Sequence, residues 1–168
     1  MSQRYVYTPG GIARLRARIA AARAAYKAVC DDNPAALESG DTSGWHDNFA
    51  FEENQRQMHQ LARQVRDLET VASQATIVPV PRREPERLIL GARFSYRFLN
   101  DAELRVGWLA GWEDGDPETG RVSYNSPLGI VLVGAEPGEV RQFRHGGHVR
   151  AVEVVDVTCL SEEQCADA

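Results

Sequence analysis

The sequence predicts an α+β protein. An N-terminal antiparallel helical hairpin of the coiled-coil type spans residues 1–77, and a small antiparallel β-sheet domain with one short helix spans 87–168. Three observations carry this. In the first half, apolar residues recur at alternating intervals of three and four, the seam of paired helices. In the second half, short runs rich in Val, Gly and aromatics alternate apolar with polar, the period of half-buried strands. Between them, 78–85 holds three prolines in eight residues, which cannot continue a helix and favour an extended connector over 78–86.

The first helix begins at Thr8. Threonine suits the N-cap, and Pro9 suits the first helical position, where its missing N–H would be unpaired anyway. Ile12, Leu15, Ile19, Ala22, Tyr26 and Val29 form the seam. Asn33-Pro34 is expected to interrupt this arm, because a residue before proline avoids the α region, with a short helical piece continuing over 34–39. Residues 39–47 are turn-forming. The second arm carries Phe51 and then Met58, Leu61, Val65, Leu68, Ala72 and Ala75. Each arm has one narrow seam and little else apolar, which favours an extended hairpin of roughly 45 Å over a compact bundle.

Strands are expected within 87–98, 104–109, 121–125, 139–143 and 149–157. The run 127–134 is apolar almost throughout and follows Ser126. Serine as cap and Pro127 at the first position predict a short buried helix. His145-Gly146-Gly147-His148 has no common metal-ligand spacing and fits a Gly-Gly hairpin turn. Trp108 and Trp112 fit packing positions.

Composition narrows the function. Apolar content of 43% and charged content of 26% are those of a soluble globular protein. The net charge of −5 gives no general reason to bind bare nucleic acid. No apolar run is long enough to span a membrane, and the first residues lack a secretory apolar core. Three cysteines at unpatterned spacing argue against a disulfide framework and for a reducing, cytoplasmic setting.

Charge is segregated along the hairpin. Residues 1–30 hold six basic groups, including Arg14, Arg16, Arg18 and Arg23, and no acid; residues 31–53 hold seven acids and no Lys or Arg. Like charges so crowded oppose compaction, which a purely structural turn has little reason to accept. An anionic tip near 40–53 could hold a divalent cation with hard oxygen ligands, or dock in a basic or metal-containing cavity of a partner. The basic stem could then meet a phosphate backbone.

These motifs resemble the GreA/GreB transcript cleavage factors of bacterial RNA polymerase along nearly the whole chain. Gly40-Asp41 resembles the first part of the family's tip, and Asp47-Asn48-Phe49-Ala50-Phe51 the second. Val65 and Leu68 fall on matching seam positions, Gly91-Ala92 resembles its Gly-Ala strand, and Asn125-Ser126-Pro127-Leu128-Gly129 resembles its Ser-Pro-hydrophobic-Gly signature. The resemblance implies an FKBP-like C-terminal domain that docks on RNA polymerase through Ser126, Pro127 and Leu128, and a coiled coil that enters the secondary channel. Asp41 and Asp47 would then hold a Mg²⁺ shared with the polymerase, bound tightly by neither alone, and orient water at a backtracked RNA 3′ end. The chain itself would be a monomeric cofactor, with the chemistry residing in the polymerase. Trp45, His46 and Asn48 would be tip contacts, and Arg14, Arg16, Arg18 and Arg23 would meet RNA along the stem.

The tip departs from the family. Its two acids lie six residues apart instead of three, with Gly44-Trp45-His46 inserted. Asp47 stands in place of Glu, one methylene shorter, and Phe49 in place of Ala. These departures open a second reading, a non-cleaving channel binder that regulates transcription. A third, unrelated reading is a peptide-binding module with the hairpin as a dimerisation stalk.

Overall fold

The computed structural model describes residues 5–38, 49–101 and 103–161, with side chains throughout except at 32–38 and 49–50. Two compact units result. One comprises 15–74; the other joins the residues up to Arg14 with those from Ala75 onward.

The helical unit is built on α1 (Pro9–Glu38) and α2 (Phe49–Ser73). Thr8 caps α1 as expected: its Oγ1 accepts from Gly11 N–H at 3.2 Å. Thr8 is fully buried, so its loss leaves a helix-end donor unpaired away from water. Thr8→Ala is expected to lower stability by about 1–2 kcal/mol, read as a lower urea midpoint at unchanged slope.

The seam positions are the shielded ones. Ile12, Leu15, Ile19 and Ala22 are buried, and Tyr26 and Val29 half-buried, while the intervening Arg16, Arg18 and Arg23 are exposed. On α2 the shielded face runs through Phe51, Met58, Leu61, Val65, Leu68 and Ala72. Two cross-ties set the direction. Arg23 Nε donates to Glu69 Oε1 at 2.9 Å, and Asn54 Nδ2 donates to the Val29 carbonyl at 3.2 Å. Numbers rise along α1 as they fall along α2, so the helices are antiparallel.

The expected interruption of α1 is not found. α1 continues unbroken through Asn33-Pro34 to Glu38. Proline removes one intrahelical donor and biases its predecessor, but the turns on either side keep their hydrogen bonds and carry the helix across.

The second unit holds a five-stranded sheet in the order β5-β4-β3-β7-β6. Its strands are β3 (Arg93–Phe98), β4 (Arg105–Ala110), β5 (Arg121–Ser123), β6 (Val140–His145) and β7 (His148–Thr158). All five fall in or beside the segments expected from alternation. The sheet is mixed rather than antiparallel throughout, because β5 runs parallel to β4. A bulge between Ser95 and Tyr96 shifts the β3–β7 register. The helix α3 (Pro127–Leu132) packs Leu132 into a core formed with Leu88, Phe94, Leu109, Phe143, Val152 and Val154.

Two strands escaped the pattern analysis. β1 (Val6–Tyr7) and β2 (Thr76–Ile77) pair in parallel. Each is two residues long, too short to show a period. This pairing, with the Trp112 N–H bonded to the Val6 carbonyl at 3.0 Å, ties the start of the chain to the sheet unit instead of to the hairpin.

Candidate functional site

The tip residues Asp41, Trp45, His46, Asp47 and Asn48 lie outside the described residues. The described parts of the candidate site are the arginines of α1 and the surface around α3.

The four stem arginines are not equivalent. Arg16 and Arg18 are exposed on α1. Arg23 is paired with Glu69 but stays largely open to solvent. Arg14 is engaged differently. Its Nε donates to Asp114 Oδ1 at 2.8 Å and its Nη2 to Oδ2 at 2.5 Å, a two-pronged pair, while its guanidinium sits 5.6 Å from the Trp108 ring centre. The Asp114 side chain is only 9% exposed. Arg14 therefore serves as a structural clasp inside the sheet unit, which its position among the other α1 arginines does not reveal. Removing it would leave a nearly buried carboxylate without its cation. Arg14→Ala is expected to cost about 2 kcal/mol, below the cost for a fully buried pair because Arg14 is a quarter exposed, and Arg16→Ala/Arg18→Ala to cost nothing measurable. Thermal melts of the two variants check this.

Around α3 the signature residues have local jobs. Ser126 Oγ accepts from Gly129 N–H at 3.0 Å, so serine is the cap of α3. Pro127 occupies the first turn and is exposed. Leu128 is half-buried against the core. The far end of α3 is held by Arg141, whose Nη1 donates to the carbonyls of Val131 at 2.7 Å and Val133 at 2.9 Å. The helix is not wholly buried, contrary to expectation: Ile130 is 64% exposed and Val133 44%. They escaped notice because an unbroken apolar run reads as core. A short helix that is apolar all round while resting on a single layer must present one side outward.

A cleft of about 810 Å³ opens beside α3 and β4, lined among others by Tyr96, Arg105, Asp116, Arg121, Ser126 and Leu128. Its charges are mutually engaged. Arg121 pairs with Asp116 at 2.8 Å, and Arg105 with Glu103 at 2.9 Å. The Thr119 hydroxyl, then the Glu118 N–H and Arg121, hold the Asp116 carboxyl below its ordinary range. Burial pushes the Tyr96 phenol up. The lining contains no His or Cys to act as a base or nucleophile. No described helix is long and apolar enough to cross a membrane, and the described residues contain no cluster of three or more His, Cys, Asp or Glu suited to a metal ion.

Antiparallel helices with a segregated charge pattern, joined in one chain to a mixed sheet closed by a Ser-capped helix, define a helical-arm protein with a separate sheet domain. Residues 84–159 match the family described as "Transcription elongation factor, GreA/GreB, C-term". The chain is 24% identical to transcription elongation factor GreA of Rhodospirillum rubrum over 154 residues, 89% of this chain and 94% of that one. It is 29% identical to GreA of Sphingopyxis alaskensis over 124 residues, 74% and 76% of the respective chains. Among solved structures, GreA factor homolog 1 (Gfh1) of Thermus thermophilus is similar at 19% identity with a TM-score of 0.43, covering 92% of this chain and 99% of that one. The sheet unit thus carries a GreA/GreB C-terminal domain, and the matches along the chain support a transcription elongation factor of the GreA/GreB type.

Proposed function

We propose that this elongation factor binds RNA polymerase, inserts its helical hairpin into the secondary channel and uses Asp41 and Asp47 to promote cleavage of backtracked RNA. The observation that carries the reading is the charge pattern on paired helices. Seven acids crowd into 31–53, beyond a stem whose Arg16 and Arg18 are exposed and can meet phosphate.

Two aspartates are a donor set suited to Mg²⁺, which takes hard oxygen ligands and often needs only one or two carboxylates alongside other partners. When bound, the ion would polarise a phosphoryl oxygen and lower the pKa of a bound water. The chain's own part is to supply Asp41 and Asp47 as ligands and to orient the attacking water. Trp45, His46 and Asn48 would contact the channel wall.

For docking, the reading shifts from Ser126 and Leu128, which are occupied in capping and core packing, to the exposed apolar side of α3 formed by Pro127, Ile130 and Val133. Exposed apolar groups of this kind mark interaction surfaces.

The second reading, a channel binder that does not cleave, rests on the tip sequence. The insertion of Gly44-Trp45-His46 and the shorter Asp47 alter the spacing of the carboxylates. A backtracked elongation complex with Mg²⁺ separates the two. Added chain that accelerates RNA cleavage supports the first. Chain that binds polymerase, releases no RNA fragment and blocks an authentic cleavage factor establishes the second.

A further inference from the structure

The β6–β7 hairpin is cationic within an anionic chain. From 140 to 152 there is no acidic residue, while Arg141, Arg144, His145, His148 and Arg150 all fall in this stretch. The strands pair from Val140↔Glu153 to His145↔His148, and Gly146 and Gly147 close the turn with φ of 57° and 80°. Two successive positive φ values belong to the tight hairpin turn whose twist matches its strands, and glycine adopts them without strain.

The hairpin extends past its sheet. The β3 ladder with β7 ends at Phe98↔Val152, and residues 144–150 are all exposed. Nothing lies within 4 Å of where a side chain would sit on either turn glycine. Arg141 is committed to Glu139 and the α3 carbonyls. Arg144 and Arg150 have no carboxylate partner among the described residues, and Arg150 instead lies 5.8 Å from the Phe98 ring centre. His145 and His148, directly paired across the turn, add ring N–H donors on one face.

We propose that this projecting ribbon binds the phosphate backbone of duplex DNA. Charge complementarity selects a polyanion. A two-stranded ribbon matches the width of the major groove of B-DNA. The tip offers no exposed Phe, Tyr or Trp ring on which an unpaired base could stack, which disfavours single-stranded RNA. It also lacks the aromatic or leucine anchors of a membrane-surface segment. Contact is through backbone phosphates and is indifferent to sequence, so it adds affinity and orientation wherever the partner complex brings duplex close. The residues involved belong to β6 and β7 and are not those of the cleavage reading.

The test is fluorescence anisotropy of the full chain with a labelled mixed-sequence duplex of about 20 base pairs at about 50 mM salt, where phosphate contacts are strongest. Arg144→Ala/Arg150→Ala is expected to weaken binding by about tenfold and to reduce the salt slope by about two. Arg16→Ala/Arg18→Ala is expected to change it less. The altered side chains are exposed, and an unchanged thermal melt verifies folding. Three results each overturn the proposal: no duplex binding by the wild type, equal binding by the Arg144/Arg150 variant, or Arg144/Arg150-dependent binding only to phosphatidylglycerol vesicles and not to DNA.

Discussion

Replacing Asp41 and Asp47 together by alanine is expected to lower stimulated cleavage of backtracked RNA by about 10²-fold or more, because positioning of a water and its ion is lost. Binding to polymerase should survive, since the proposed docking side of α3 lies in the other unit. Fragment release from a stalled, backtracked complex measures the first, and competition against a labelled factor the second. Ile130→Asp is the converse variant. It should weaken binding while leaving cleavage at saturating factor intact, because it places a charge on an exposed apolar position and touches no tip acid. If cleavage by the double alanine variant equals that of wild type, the tip acids do not do the work assigned to them.

Gly129→Ala is expected to be the most damaging single substitution in the sheet unit. A methyl at this position would sit 2.0 Å from the Ser123 carbonyl oxygen and 2.8 Å from Tyr124 Cα. Both are backbone atoms, so no rotamer change relieves the clash. Ser123 is itself pinned, its Oγ donating to the Gly111 carbonyl at 2.6 Å within a buried site. The helix must therefore lift off β5 or the strand must shift, at a cost of about 3 kcal/mol or more. Chemical denaturation would show a large fall in midpoint. A variant as stable as wild type would mean that α3 can slide freely on the sheet. The same close approach explains why the Ser-Pro-Leu-Gly run ends in glycine: Ser126 caps the helix, Pro127 starts it, and Gly129 lets it lie against the β5 backbone.

Much of the fold was legible because its signals are local. The interval of three and four from Ile12 to Val29 marks the side of α1 that is shielded. Thr8-Pro9 and Ser126-Pro127 mark two helix starts, each cap oxygen within three residues of the donor it satisfies. Gly146-Gly147 marks the turn between β6 and β7 by the backbone conformation it allows. An interruption at Asn33-Pro34 was the local expectation that failed, since a single proline weighs less than the turns around it.

What the tertiary structure alone decided involves partners far apart in the chain. Val6 finds Thr76, and Arg14 finds Asp114, a hundred positions away. Composition could place Arg14 on a basic helix but could not distinguish it from Arg16, because a salt bridge depends on where a remote loop delivers its carboxylate. β5 lies parallel to β4 because of the path taken between them, which alternation of side chains does not encode. Ile130 and Val133 are exposed because only one layer of sheet lies beneath α3, although their apolar character alone favours burial. Periods, caps and turns are set by neighbours within a few residues. Pairing, exposure and charge partnership are set by which distant surfaces the folded chain brings together.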